Sequence, residues 1–248
     1  MDNETAYIYL EETDSTNSYL ARLITAEPDT PAYTVVRADY QHAGRGQRGH
    51  RWESQRGKNL LFSILLRPRG IKAADGFAIQ QIVSVAIYRT LEQYAPGFSI
   101  KWPNDIYWKD RKICGFITEN SITGEYIDTS IVGIGLNLNQ RAFASSAPNP
   151  VSLLQITGEE SQASDIMGQI TRRVMQGMEE YELCGSSTKT EAEYKEALYR
   201  SRGFYPYSSN GREFTAMICS VTPGGELVLC ETDGTIGCYR FKEVAFII

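Results

Sequence analysis

The spacing of apolar residues divides this chain into strand-like and helix-like stretches, with no internal repeat and no low-complexity segment. Ala6 to Leu10 predicts a first strand, and Asp14 then precedes Tyr19, Leu20, Leu23 and Ile24, which recur at helical spacing. Thr34 to Asp39 predicts a second strand and the apolar run Leu60 to Leu66 a third. Phe77, Ile79, Ile82, Val83, Ala86, Ile87 and Leu91 keep a helical period and predict a core helix. Short β-rich segments follow at Ser99 to Trp102, Asp105 to Trp108, Arg111 to Glu119 and Tyr126 to Asn139, with the turn-forming Pro103, Asn104 and Asp105 between the first two. After a loop from Arg141 to Val151, helical spacing returns through Ile166, Ile170, Val174, Met178 and Tyr181, and again from Thr190 to Arg200.

From Gly203 onward the pattern becomes short alternating runs, Phe214 to Val221, Glu226 to Cys230 and Gly237 to Phe241, separated by Pro223-Gly224-Gly225 and Asp233-Gly234. They predict a small antiparallel barrel or sandwich of about 45 residues, a size at which a lone core is marginal. It is therefore expected to dock on the main domain. At 248 residues, with 42% hydrophobic and 22% charged positions, the chain is long enough for one large domain, or one large and one small.

Composition narrows the chemistry. The net charge of −5 argues against a generic nucleic-acid binder while leaving local basic patches open. The N-terminus is acidic and has no signal-peptide core, and no apolar run is long enough for a membrane helix, so a soluble, cytoplasmic protein is expected. Cys114, Cys184, Cys219, Cys230 and Cys238 are odd in number and lack a Cys-x-x-Cys pair, which favours reduced thiols over a disulfide framework or a zinc site. His42 and His50 have no partner at metal-ligand spacing.

The segment between the second and third strands is the first candidate site. Gly44-Arg45-Gly46-Gln47-Arg48-Gly49 satisfies the G-x-G-x-x-G string of a dinucleotide site. The following residues are polar and aperiodic, however, and Arg69 stands near the place of the required acid, so that reading fails. A Walker loop fails as well, because His50 and Arg51 follow Gly49. From Arg37 to Lys58, six basic residues (Arg37, Arg45, Arg48, Arg51, Arg56, Lys58) face two acidic ones (Asp39, Glu53). Glycines free backbone N–H groups to turn toward an anion and guanidinium groups bind phosphates, so the loop suits a phosphate or acyl-phosphate; the plainer reading is a solvated hairpin tip. Trp52 favours the first reading, since an aromatic ring in a polar loop needs something to pack on, such as a nucleobase.

Lys101-Trp102-Pro103-Asn104-Asp105 and Arg111-Lys112-Ile113-Cys114-Gly115 form a second motif. Simple alternation across a hairpin at Lys109-Asp110 places Lys112 and Cys114 on one face and Ile113 and Gly115 on the other. Lys112 suits the buried end of a cleft holding a carboxylate and a developing negative charge at phosphorus, or else it is an edge-strand lysine. In Gly133-Ile134-Gly135-Leu136-Asn137-Leu138-Asn139 the glycines mark either close approach by a ligand or a bulge. Asp14-Ser15-Thr16-Asn17 reads as a helix N-cap, with Ser15 and Thr16 as spare hydroxyls at the helix start.

Taken in order, DSTN, QHAGRGQRGHRW, KWPNDIYWKDRKICG and GIGLNLN, followed by a β-rich module, resemble the catalytic part of the biotin protein ligases, over nearly the whole chain. The resemblance implies an α+β fold: a mixed β-sheet with packed helices over residues 1–201, which binds biotin and ATP, then a small SH3-like β-barrel over residues 202–248. It implies that biotin and Mg-ATP give biotinyl-5′-AMP and pyrophosphate, and that the acyl group then passes to a lysine of a biotin carboxyl carrier domain. By motif, Ser15, Thr16 and Gln41 would bind the biotin ureido ring, and Gly44, Arg45 and Gly46 would line biotin and the acyl-phosphate. Lys112 would contact the carboxylate and α-phosphate, while Gly115, Gly133 and Gly135 would let the ligand approach. Trp52 would close over the adenine and Asn137 would lie near ribose or phosphates. Lys101, Asn104 and Asp105 would organise the ATP phosphates and magnesium, with Lys112, Arg45 and Asp105 as the catalytic set.

Where many family members have arginine after the second loop glycine, this chain has Gln47 and then Arg48, which is assigned to retain the adenylate. His50 also stands where arginine or asparagine is common. Only 13 residues precede Asp14, so no N-terminal helix-turn-helix and no DNA binding are expected. Either a monomer or a homodimer, with no membrane partner, fits the resemblance. The rivals are a lipoate or octanoate ligase of the same fold, a non-catalytic biotin-binding module, and a nucleic-acid binder using the basic loop.

Overall fold

The computed structural model describes residues 6–46, 52–143, 149–186 and 188–248. Seven strands form the main sheet: β1 (Tyr7–Leu10), β2 (Val35–Ala38), β3 (Leu60–Leu66), β4 (Phe98–Lys101), β5 (Asp105–Trp108), β6 (Arg111–Thr123) and β7 (Tyr126–Leu136). Their spatial order is β1-β2-β3-β7-β6-β5-β4. Only β1 and β2 run parallel; every other neighbouring pair is antiparallel, so the sheet is mixed.

Side-chain alternation divides this sheet into two faces. Leu60, Phe62, Ile64 and Leu66 of β3, with Val132, Ile134 and Leu136 of β7, join the large core. That core is closed by α2 (Phe77–Leu91) and α4 (Ala163–Cys184). On the opposite face, Leu65, Ile131 and Val36 pack against Leu20 of α1 (Thr16–Ala26) in a small separate cluster. Helix α1 covers only part of that face. Beyond it, the odd-numbered positions of β7 are Gly133 and Gly135, which line a cleft.

The expected segments appear with shifts of a few residues at their ends. The final strand of the main sheet stops at Leu136 rather than Asn139. One helix lay in a stretch whose periodicity was too short to show, whereas the helical spacing from Thr190 matches a helix. Helix α3 (Leu153–Thr157) is nucleated by a capping box between Ser152 and Gln155 and ends on Gly158 at φ 81°. Helix α5 (Thr188–Ala197) buries Tyr194, which meets Phe77 edge to face at 5.8 Å.

The chain ends in a five-stranded antiparallel sheet: β8 (Tyr205–Ser209), β9 (Arg212–Val221), β10 (Leu227–Glu231), β11 (Ile236–Tyr239) and β12 (Ala245–Phe246), in the order β11-β10-β9-β8-β12. The short β8 and β12 carried no clear alternation. Tyr207, Phe214, Ile218, Leu227 and Leu229 from this sheet belong to the same core cluster as α2 and the main sheet. The Trp102 indole N–H donates to the Gly225 carbonyl at 2.9 Å, and the Trp102 ring packs against Phe241. The C-terminal module therefore docks on the main sheet at the KWPND turn.

Tyr194 is fully buried and its hydroxyl has no hydrogen-bond partner among the described residues. Burying an unpaired hydroxyl costs about 1–3 kcal/mol. Tyr194→Phe is therefore expected to raise the urea midpoint, by about 1 kcal/mol of stability; a fall would show that the hydroxyl makes a bond the packing does not reveal.

Candidate active site

Strand register builds the floor of this cleft. Leu61 of β3 lies opposite Gly135 of β7, Gly135 opposite Gly115 of β6, Gly115 opposite Asp105 of β5, and Asp105 opposite Lys101 of β4. One row across five strands thus reads Leu, Gly, Gly, Asp, Lys. The adjacent row pairs Ser63, Gly133 and Ile117. Around Gly133 and Gly135 the pairing with both neighbours is regular, so these glycines are not at a bulge. They leave room instead. A Cβ on Gly133 would collide with the Asn17 amide, and one on Gly135 with the Trp52 indole.

A bulge does occur, but at Lys112. Tyr107 pairs with Lys112 while Ile106 pairs with Cys114, leaving Ile113 as the extra residue. The expected alternation is therefore corrected: Ile113 and Cys114 both turn into the core, and Lys112 and Gly115 both line the cleft. Lys112 Nζ reaches Asp105 Oδ1 at 2.6 Å and lies 5.8 Å from the centre of the Trp52 ring. Burial pushes the Cys114 thiol up, so it offers no thiolate to the site.

The cleft encloses about 750 Å³. Ser15, Thr16, Gln41, Arg45, Gly46, Trp52, Lys101, Asn104, Asp105, Lys112, Gly115, Gly133, Gly135 and Asn137 line it together. Gly44 sits just behind, packed on the Gln41 side chain and the Trp52 carbonyl. Arg48, with Gln47, Gly49, His50 and Arg51, lies outside the described residues.

Several of these side chains have prior commitments. Ser15 is the N-cap of α1 but makes no capping bond; Asp14 accepts from the Ser15 N–H at 2.8 Å. The Arg22 guanidinium, with help from that N–H, holds the Asp14 carboxyl well below the usual carboxylate range. Gln41 Oε1 accepts from the Thr16 N–H at 2.7 Å and so occupies the first turn of the helix. Asn104 donates to the Phe116 carbonyl, and Asn137 donates to the Val151 carbonyl at 3.2 Å. Lys101 Nζ stands 4.8 Å from the Phe246 ring centre and 5.3 Å from that of Tyr107. Burial pushes its ammonium below the ordinary value, against the pull of Asp105.

Three polar residues that motif reading did not assign form a network beside the cleft, which Asn17 also lines. Asn17, Ser63 and Glu119 link α1, β3 and β6 through hydrogen bonds at 2.5 and 2.9 Å. Asn17 was legible as the last letter of DSTN, and Glu119 as the second alternate position after Gly115. Phe241 and Lys242 reach the cleft from the C-terminal module, and only tertiary packing reveals them. Among the described residues, no group of three His, Cys, Asp or Glu side chains could hold a metal ion.

Residues 9–137 match the model of the biotin/lipoate A/B protein ligase family, slightly more than half of the chain. The chain belongs to that family. This ligase-family chain is similar in sequence to the bifunctional ligase/repressor BirA of Escherichia coli, at 32% identity over 68% of this chain and 52% of BirA. It is likewise 32% identical to the biotin–[acetyl-CoA-carboxylase] ligase of Paracoccus denitrificans, over 63% of this chain and 65% of the relative. The chain spans about half the length of the BirA proteins it matches. In structure, the ligase-family fold superposes on the Aquifex aeolicus biotin protein ligase in complex with biotin and ATP, with TM-score 0.79, 25% identity and 98% of each chain covered.

Proposed function

We propose that this chain is an ATP-dependent biotin ligase, which activates biotin as biotinyl-5′-AMP and passes it to a lysine of a biotin carboxyl carrier domain. One observation carries the reading: the floor cleared by Gly115, Gly133 and Gly135 ends at Lys112, with Arg45 at the rim. An apolar-floored slot closed by cations suits a hydrophobic acid that becomes an acyl-phosphate. The relatives named for biotin ligation and the neighbour that holds biotin and ATP support the choice of substrate.

In the first step a biotin carboxylate oxygen attacks the α-phosphorus of ATP; a C–O–P bond forms, the bond to the β-phosphate oxygen breaks, and pyrophosphate leaves. The chain supplies position and charge rather than a nucleophile. Lys112, held by Asp105 and by the bulge, sits where it can neutralise both the attacking carboxylate and the pentavalent phosphorus. Magnesium would enter with the nucleotide. Asp105 can lend one oxygen, while phosphates and water complete the shell. In the second step the neutral amine of the acceptor lysine attacks the biotinyl carbonyl, AMP leaves, and the amine proton is lost, with Asp105 as the nearest carboxylate among the groups of the floor row.

The test is incubation with biotin, Mg-ATP and a biotin carboxyl carrier domain, followed by intact mass of the acceptor. One ATP-dependent biotinyl addition, undiminished by a tenfold excess of lipoate, is expected. Lipoyl addition in its place would move the chain to the lipoate branch, and adenylation of neither acid would leave only binding.

A further inference from the structure

Arg45 sits between Gly44 and Gly46, in a stretch with no apolar anchor, yet its guanidinium is not loose. Nη2 lies 3.1 Å from Glu119 Oε1 and 3.3 Å from Oε2, reaching across from the loop to strand β6. Both side chains are nearly half exposed, so the ion pair alone holds little. The anchor lies deeper. Glu119 Oε2 also accepts from Asn17 Nδ2 at 2.9 Å; Asn17 is only 2% exposed, and its Oδ1 lies 2.5 Å from the hydroxyl of the fully buried Ser63. Asn17 is further boxed in by the bare backbone of Gly133. Glu119 is therefore gripped from the core and in turn grips the arginine.

Electrostatics sharpens the point. A carboxylate paired with a lining residue of a cleft meant for a carboxylate and phosphates repels the ligands of that cleft. If Glu119 only filled space, neutralising it would strengthen anion binding. If it holds Arg45, neutralising it frees a long side chain whose rotamer entropy must be lost again at the transition state. A guanidinium offers five donors, so one nitrogen held by Glu119 still leaves a fork for the ligand.

We infer that Glu119, fixed by Asn17, is a positioning residue that presents Arg45 to the acyl-phosphate. The inference rests on the ligation reading. The test is a double-mutant cycle in biotin-dependent ATP–pyrophosphate exchange, with wild type, E119Q, R45A and E119Q/R45A, and urea midpoints checking that each variant is folded. Arg45→Ala is expected to lower kcat/KM about 100-fold, the usual size for one charge-stabilising donor. Glu119→Gln should lower it about 10-fold, mainly in kcat, and the double variant should be no worse than R45A within about 2-fold. Glu119→Asp, which keeps the charge, should recover part of the loss. Losses that multiply in the double variant, or tighter biotin binding in E119Q at an unchanged rate, would overturn the inference while leaving the ligation reading intact. Wild-type protein that forms no adenylate would overturn both.

Discussion

Lys112→Ala is expected to slow biotin adenylation at least about 100-fold, with little loss of stability. The bulge at Ile113 explains both halves of that expectation. It turns Lys112 onto the cleft, where its ammonium meets Asp105 at 2.6 Å, and turns its two neighbours into the core, so strand β6 stays anchored without the lysine. The ion pair is partly exposed, and such pairs contribute at most about 1 kcal/mol. The transition state gains far more from the same charge, because it develops beside a fixed donor rather than beside water that must reorient. Lys112→Arg should not restore the rate, since a planar, delocalised fork does not concentrate charge as an ammonium does. Pyrophosphate release measures the rate and urea unfolding the stability; near-normal adenylation in the alanine variant would remove Lys112 from the mechanism.

Gly133→Ala is expected to damage folding and binding together. The added methyl would fall on the Asn17 amide, which has no route of retreat: it is buried, with Ser63 on one side and Glu119 on the other. Overpacking at such a site costs about 1–3 kcal/mol, and breaking the buried hydrogen bonds adds about 1–3 kcal/mol. A stability loss of about 2–6 kcal/mol is therefore expected from urea unfolding, with biotin binding lost in calorimetry. Gly135→Ala is the contrast. Its methyl meets the Trp52 indole, a side chain on a partly exposed segment that can shift, so stability should change less than binding. Equal stability losses in both variants would contradict this account of what bounds the floor.

Much of this architecture is written in local spacing. The helix Phe77–Leu91 follows from the period of its apolar residues and the strand Leu60–Leu66 from an almost continuous apolar run, because the helix is buried over most of its length and the strand on both faces. The cleft residues were legible for a different reason. Glycines in strands, a lysine beside an apolar run and hydroxyls at a helix start are local oddities that regular packing does not require. What could not be read was geometry that depends on partners far away in sequence. The bulge that turns Lys112 and Gly115 to one side is set by pairing with β5, and alternation alone put them on opposite faces. Glu119 looks like an ordinary outward strand residue until α1 places Asn17 against it. Phe241 and Lys242 join the cleft only because Trp102 docks the second sheet there.

The row of bare backbone across β7 and β6 also constrains how this protein could change its preferences. A slot floored by glycine is already as deep as a sheet allows, since no smaller residue exists. Every substitution at Gly115, Gly133 or Gly135 makes it shallower, whatever residue is chosen. Variation at the floor can therefore only exclude ligands. Acceptance of a longer or bulkier acid has to be gained at the other lining positions, such as Ile117 and Phe143, where side chains remain to be trimmed.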